Sequence, residues 1–433
     1  MNLPNTTITF HLKQHTPLIH FQHEQDGATL RAKELRPALD KYLWAKAFKN
    51  DFNAYKKFLI DPSKFEGGNI ALDYKINIDY SKAEIWKSPI ERPKIKFDRQ
   101  TGKQTLAGPE QFPCFFGNMG ETNTKQFSMA EGIIEVSFFS FKTELLNHIK
   151  NHFTGFIERK NFGTRQSKGF GAFWLINQQV APGVNKFKFK SEITYREQNV
   201  FKDYKLRYPD SDLNNDKILL LERYWQVFKQ IELFWKVARS GYSDGRRDSN
   251  NYIKAPLVFY LNDYFEAGKS YFWDKKNIKL AYKDNALVVS PNNLLARDLL
   301  GLASESDWKS DNVVVKKNHT EDEIDRYKSP ITFKPRWNEK TKSFDVFIYL
   351  NPVEKGFLDK SFRIEWKKRG ERVKNNLILK TPPAFGITKY FRFLNGVYKD
   401  SILPDFIQST SNNDLKQIEK IFETLTEFNN PNP

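Results

Sequence analysis

Cysteine is almost absent: Cys114 is the single one in 433 residues. One thiol excludes an internal disulfide framework and any zinc site built from several cysteines, and it suits a reducing compartment. Long apolar runs are missing too, and no stretch approaches the roughly 18 apolar residues of a membrane span. The opening residues, MNLPNTTITFHLKQHTPL, lack the basic start and apolar core of a signal peptide. These absences predict a soluble, cytoplasmic protein with no membrane partner. Short-period repeats and low-complexity tracts are lacking as well.

What the chain has in abundance is positive charge. Lysine and arginine number 69 against 52 aspartates and glutamates, a net charge of +17, which favours a polyanion such as nucleic acid over an acidic small molecule. A composition rich in Phe, Lys, Asn, Ile and Tyr also fits a codon bias towards A and T. Where the charges cluster therefore carries more weight than their number.

The length accommodates two domains, each with a core of its own. TITFHLKQHTPL alternates apolar and polar residues and reads as a strand ending near Pro17. After a polar loop, LRAKELRPALDKYLWAKAF places Leu35, Leu39, Tyr42 and Leu43 on one helical face, and Pro37 fits if the helix begins within the preceding turn. NIALDYKINIDY and EGIIEVSFFSF read as two further strands. KTELLNHIKNHFTGF reads as a helix with Leu145, Ile149, Phe153 and Phe156 on its apolar stripe, and GFGAFWLI as a last strand. The order β-α-β-β-α-β is that of a ferredoxin-like domain, the topology of RNA recognition modules.

NQQVAPGVN is a connector, so the expected domains are 1–180 and 181–433. The second half repeats the alternation more loosely. KFKFK is a strand with one lysine face and one phenylalanine face. The helix KILLLERYWQVFKQIELFWKVARSG follows, with Leu221, Tyr224, Phe228, Ile231 and Trp235 on its apolar face and Gly241 past its end. SPITFKPRW and FDVFIYLNP read as strands, and NDLKQIEKIFETLTEF as a final amphipathic helix. The expected fold is α+β, with two ferredoxin-like (RRM-like, βαββαβ) domains carrying insertions.

Several clusters are candidates for binding. FGTRQSKGFGAF, residues 162–173, joins Gly163, Gly169 and Gly171 to Arg165 and Lys168. Glycines there would let the backbone approach a phosphate or ribose while the two cations supply charge. They would equally serve tight packing of a helix against a strand. Arg31, Lys33 and Arg36 flank the first helix start, where free amides favour an anion. Residues 85–105 look like a projecting basic hairpin, with Lys94, Lys96, Arg99 and Lys103 as backbone contacts. Trp86 and Phe97 are able to stack on bases, although packing is the commoner role of such rings. Lys328, Lys334 and Arg336, and the pair Arg246 and Arg247, are weaker clusters. His148 and His152 stand at ligand spacing on a helix but lack a third ligand, so no metal or other cofactor is expected.

TPLIHFQHEQDGATLRAKELRPALDKYLW resembles the start of RAMP proteins of CRISPR effector complexes, in which a strand ending in Thr-Pro-Leu precedes a basic helix opening. Gly163, Arg165, Lys168, Gly169, Phe170 and Gly171 are similar to the glycine-rich signature of the same superfamily. Within it the pattern is most like that of the first Cmr subunit of type III-B complexes. The likeness covers roughly the first 175 residues and departs from the pattern at Pro37, Asp40 and Phe162.

The resemblance implies a non-catalytic subunit that takes part in antiviral defence. Its expected partners are CRISPR guide RNA near the guide's 3′ end, target RNA, and neighbouring RAMP subunits. The alternative it raises is a metal-independent endoribonuclease that matures CRISPR RNA. In that case His20 or His23 would act as acid or base, with Asp26 in the same loop.

Overall fold

The computed structural model describes residues 6–19, 29–65, 71–97, 104–114, 126–191, 200–208, 213–244, 251–262, 272–284, 293–302, 304–308, 312–321, 323–368, 373–407 and 411–428. In β1 (Thr7–Gln14) exposed and more buried side chains alternate, because successive residues of a strand point to opposite faces. α1 (Ala32–Lys46) buries Leu35, Leu39, Asp40 and Leu43. β2 (Lys75–Pro89), β3 (Glu91–Phe97), β4 (Gln104–Gln111), β5 (Gln126–Phe139), α2 (Thr143–Arg159) and β6 (Phe173–Leu175) follow. Four of these strands form an antiparallel sheet in the order β2-β5-β1-β6. Its core joins Leu12, Val136 and Phe138 of the sheet to Leu39 of α1 and Ile149 and Phe153 of α2. β3 and β4 pair with each other, apart from that sheet.

The second half opens with β7 (Val184–Lys190) and the long α3 (Asn215–Ser240), which is closed by Gly241 at φ 76°. β8 (Tyr242–Ser243) pairs with β9 (Tyr252–Ile253). Then come β10 (Phe272–Trp273), α4 (Asp274–Asp284), β11 (Asn293–Leu294), β12 (Glu305–Trp308), β13 (Val313–His319), β14 (Ile331–Asn338) and β15 (Ser343–Leu350). β16 (Ser361–Lys368), β17 (Lys374–Lys380), α5 (Asn413–Glu423) and β18 (Thr426–Phe428) complete the elements used below.

A second four-stranded antiparallel sheet has the order β14-β15-β7-β18. A six-stranded sheet, β10-β11-β17-β16-β13-β12, is built from chain on both sides of the β14–β15 hairpin. Ranked by chain order, the strands of both four-stranded sheets lie 2-3-1-4, with helical chain between the first and second strands and between the third and fourth. The architecture is α+β, consistent with a ferredoxin-like arrangement.

Two local expectations differ from what is found. The final helix stops at Glu423, and Thr426–Phe428 joins β7 instead. Thr424 makes the change of course: its hydroxyl accepts from the Lys188 amide and donates to the Lys188 carbonyl, both at 3.1 Å. Pro37 sits past the first turn of α1, where its missing N–H costs a helix bond at an exposed position.

The halves share one core. Phe127, Met129 and Phe170 cluster with Phe228 and Ile231 of α3, and the Phe170 and Phe228 rings stack with centroids 3.9 Å apart. The segment after α2 lies along β14: the Phe333 amide donates to the Ser167 carbonyl at 3.1 Å, and Asn161 Nδ2 donates to the Phe333 carbonyl at 2.8 Å. Lys334 is fully buried and donates to the carbonyls of Ile157 at 2.5 Å and Lys160 at 2.6 Å. These belong to the last turn of α2 and the residue after it; Ile157 O also accepts from the Lys160 amide at 3.3 Å.

A buried ionic network ties α3 to the six-stranded sheet. Asp298 receives Arg239 Nη2 at 3.0 Å and Lys317 Nζ at 2.5 Å, while Arg297 Nε meets Asp274 at 2.9 Å. Burial alone would raise the pKa of Asp298, but Lys317, Arg239 and Arg297 hold it below the usual carboxylate range. Removing one member of such a group strands the rest without water. Asp298→Ala is therefore expected to lower unfolding free energy by about 3–5 kcal/mol, read as a fall in the urea midpoint.

Candidate nucleic-acid interface

The chain leaves β1 through residues 15–19, and the glycine-rich segment 162–173 lies beside it. The His15 amide donates to Ala172 O at 2.8 Å, Gly171 N to Pro17 O at 2.9 Å, and Thr164 N to Ile19 O at 2.8 Å. Thr16 Oγ1 donates to Gly169 O at 2.6 Å and accepts from Ala172 N at 2.9 Å. This approach requires glycine. A Cβ on Gly171 would lie 2.1 Å from Phe162 O, and one on Gly163 would lie 2.6 Å from Ile19 O; both residues have positive φ. Gly169, at φ 92°, packs against Pro335 and Ile231. The amides of Phe162, Thr164, Lys168, Gly169 and Gly171 are all bonded within the protein.

The two cations of the segment have different positions. Arg165 is half-buried at the turn with φ 55°, and burial lowers its pKa. Lys168, expected at the RNA surface, is instead only 6% exposed. Its ammonium lies 3.3 Å from the centroid of the Trp235 ring, and burial pushes its pKa well down. The reason is the Phe170–Phe228 stack and the backbone bridge from Lys168 to Phe333, which turn this side of the loop inward.

The outer side of the same loop meets Lys160, which in turn lies within the electrostatic reach of two further lysines. Lys160, just past α2, donates to Gln166 Oε1 at 2.9 Å. Burial lowers its pKa, and the charges of Lys328 and Lys41 lower it further, with Glu34 opposing them. Lys41 and Lys328 are exposed. Lys33, Pro37 and Lys41 are all exposed and spaced four apart on α1, so they share one face. That stripe runs from the helix start to Lys41, about 12 Å along the axis.

Arg31 is the N-cap residue of α1 and is half-exposed. Arg36 turns away from this face, donating to the Leu72 carbonyl at 2.7 Å and covering the Tyr74 ring at 5.2 Å. Tyr74 in turn donates to buried Asp40 at 2.7 Å, whose pKa burial raises to about 6. Lys41 and Lys160 do not stand out in the sequence as site residues. Lys41 stands one helical turn after Pro37 in the pattern Lys33, Pro37, Lys41, a signal available without the structure.

His20, His23, Asp26, Arg99, Lys103, Arg246 and Arg247 lie outside the described residues. Lys94 and Lys96 sit on β3, opposite Ala107 and Thr105 of β4. At the base of that hairpin Arg92 pairs with Glu222 at 2.9 Å and covers Trp225. Trp86 is a packing residue that donates to Glu131 at 2.7 Å. Arg336 donates to Gln178 O at 2.9 Å and lies over the Trp174 ring.

For metals, His152 Nδ1 bonds the His148 carbonyl at 2.9 Å, and His148 packs on Phe48 and Phe58. Among the described residues the ligand atoms of His319, Glu321 and Glu323 lie within 4.8 Å of one another. His319 Nδ1 already accepts from the Glu323 amide at 3.3 Å.

Two predictions concern this geometry. Gly171→Ala is expected to cost about 1–3 kcal/mol in backbone strain alone, with the clash on Phe162 O adding to it; thermal unfolding checks this. His15 accepts from the Trp337 amide through Nδ1 at 3.0 Å. Burial, then Arg336, Lys334 and Lys13, lower its pKa from 6.5 to about 3. Its contribution to stability is present above pH 6.5 and is lost as pH falls, because only the unfolded chain takes up the proton. Asp40 acts with the opposite sign, since its raised pKa favours the fold at low pH. Urea unfolding at pH 7 and 5.5 should therefore show wild type losing more stability than His15→Gln, by up to about 1.4 kcal/mol per pH unit.

Comparison with known families places this arrangement. The family model described as the Cmr1 N-terminal domain matches residues 5–242, a span that includes the glycine-rich segment, β7 and α3. The model described as the Cmr1 C-terminal domain matches residues 252–420. No curated protein matches the chain. No helix among the described residues is long and apolar enough to cross a membrane. A chain matched almost end to end by these two models belongs to the Cmr1 family of RAMP proteins, RNA-binding subunits that associate with CRISPR RNA and other RAMP subunits in type III effector complexes.

Proposed function

We propose that this subunit grips the sugar-phosphate backbone of guide and target RNA near the 3′ end of the guide, in the cytoplasm, and carries out no catalysis of its own. The observation that carries the reading is the bond from Lys160 to Gln166 of the glycine-rich loop, made where the exposed Lys41 and Lys328 add their like charge to that of Lys160. Like charges held close together destabilise a protein unless an anion binds between them. Lys33 and Arg31 extend the same positive surface to the start of α1, where backbone amides add to it. Backbone contacts suit a guide whose sequence varies, because phosphates and riboses carry no base identity.

The same reading treats each half as a βαββαβ unit with the boundary near residue 180. Its support is the 2-3-1-4 strand order found in both four-stranded sheets. The hairpin β3–β4 and the six-stranded sheet are then insertions, available to neighbouring subunits.

The test is a double charge reversal, Lys41→Glu with Lys328→Glu, both at exposed positions. Affinity for a labelled single-stranded RNA should fall at least about tenfold at 0.1 M salt, with the log-log salt slope shallower by about 0.7 for each phosphate that the variant no longer neutralises. Unchanged affinity and slope in a folded variant would sink the proposal. Cleavage of repeat RNA in EDTA that His20→Ala abolishes would overturn its non-catalytic part.

A further inference from the structure

A separate cleft of about 180 Å³ opens between the end of α2 and the second four-stranded sheet. Its floor follows from strand register. Asn185 of β7 stands opposite buried Ile348 of β15 on one side and exposed Glu427 of β18 on the other, so an amide and a carboxylate residue lie side by side on adjacent strands. Arg159, the last residue of α2, and Arg392 stand at the rim, and Thr388 lines it as well. Thr388 and Arg392 are four apart on the helix Ile387–Phe393, hence on one face. The Arg159 guanidinium lies 5.6 Å over the Tyr349 ring. Tyr349 is itself fixed by donating to Glu158 at 3.0 Å. Arg159 and Arg392 are both exposed.

The lining selects a class of ligand. Two guanidinium groups at the mouth suit a phosphate, which arginine binds through paired N–H groups. A carboxylate on the floor repels the same phosphate, so a bare anion satisfies only half of the site. Glu427 is an acceptor, as is the Asn185 carbonyl oxygen, and each would suit a hydroxyl donor held a short distance from the phosphate. Ribose supplies such donors, and the 2′-hydroxyl is the group by which proteins tell RNA from DNA. The volume is below the roughly 300–1,000 Å³ of pockets for larger ligands, which limits the occupant to about one nucleotide.

We propose that this cleft binds a single ribonucleotide unit, its phosphate between Arg159 and Arg392 and its ribose hydroxyls on Glu427 and Asn185. The unit comes either from a single-stranded RNA or from a free nucleoside monophosphate. This site shares no residue with the lysine group beside the glycine-rich loop, so it stands or falls separately.

The experiment titrates the full chain with uridine monophosphate, deoxyuridine monophosphate and inorganic phosphate by calorimetry, and with a labelled uridine decamer by fluorescence polarisation. Uridine monophosphate should bind more tightly than either of the other two small ligands. Arg392→Ala, at an exposed position that leaves the fold intact by circular dichroism, should weaken it at least about tenfold, the worth of a charged hydrogen bond. Glu427→Gln should shrink the preference for ribose over deoxyribose.

If Arg392→Ala also weakens the decamer, the source is RNA. If the decamer is unaffected while monophosphate binding disappears, the source is a free nucleotide. The Lys41→Glu, Lys328→Glu variant should keep monophosphate binding, which separates failure of one site from failure of the other. Equal affinity for inorganic phosphate and uridine monophosphate would overturn the proposal. So would monophosphate binding that is absent, or indifferent to Arg392→Ala, in folded protein.

Discussion

The contact between the Lys334 amine and the end of α2 sets the position of everything around the proposed RNA surface. A helix end buried against another element leaves carbonyls without donors, and each one left unsatisfied costs about 1–3 kcal/mol. Lys334 reaches across from β14 to two carbonyls there, that of Lys160 and that of Ile157, the second of which also accepts from the Lys160 amide at 3.3 Å. Burial pushes its pKa well down, with Glu158 opposing, but an amine donates in either protonation state. Because the donor belongs to one half and the acceptors to the other, the place where α2 ends is fixed relative to the second sheet. Asn161, the glycine-rich loop and Phe170 then fall into line along β14 and α3.

That alignment separates two kinds of cation within a few residues. Lys168 points inward to Trp235, while Lys160 points outward to Gln166 and feels Lys41 and Lys328. Some exposed lysines elsewhere have carboxylate partners, as Lys82 has Glu135 and Lys57 has Glu144. The open face of the first sheet is closed on itself in a similar way: Thr9 bonds Ser137, and Glu135 receives both His11 and Lys82. That face carries polar bonds at the positions where RNA recognition modules place stacking aromatics. The proposed contact therefore lies at the loop and helix starts beside the sheet.

The elements most legible in sequence are those whose signals are local. β1, α2, α3 and the β14–β15 hairpin follow from apolar spacing and turn residues, and Gly241 marks the end of α3 as a glycine past a helix should. The six-stranded sheet is not legible, because two of its strands, Phe272–Trp273 and Asn293–Leu294, have only two residues each and the sheet is paired from distant parts of the chain. The end of α5 is hidden for a related reason: the bonds between Thr424 and Lys188 span 236 residues. At the site, glycine spacing locates the loop correctly but not the direction of its side chains. Lys168 and Arg36 look like surface cations in sequence, and only the Trp235 ring over Lys168 and the Leu72 carbonyl bonded by Arg36 show where they point.

The end of α2 also shows how one structural solution can serve two chemistries. Arg159 and Lys160 are consecutive, yet one lines the cleft above β7 and the other faces the lysines of the loop. Such divergence needs the backbone between them to be held firmly, and the Lys334 bond to Lys160 O does so from below. The helix terminus, the negative end of the helix dipole, is thereby capped from within, where the buried Lys334 amine donates to the Ile157 and Lys160 carbonyls. A positive surface adjoining a helix C-terminus is electrostatically unfavourable for anion binding unless that end is masked. Lys334 supplies that cap, so the contact that joins the halves also holds the turn carrying Arg159 and Lys160, cations of the two proposed phosphate contacts.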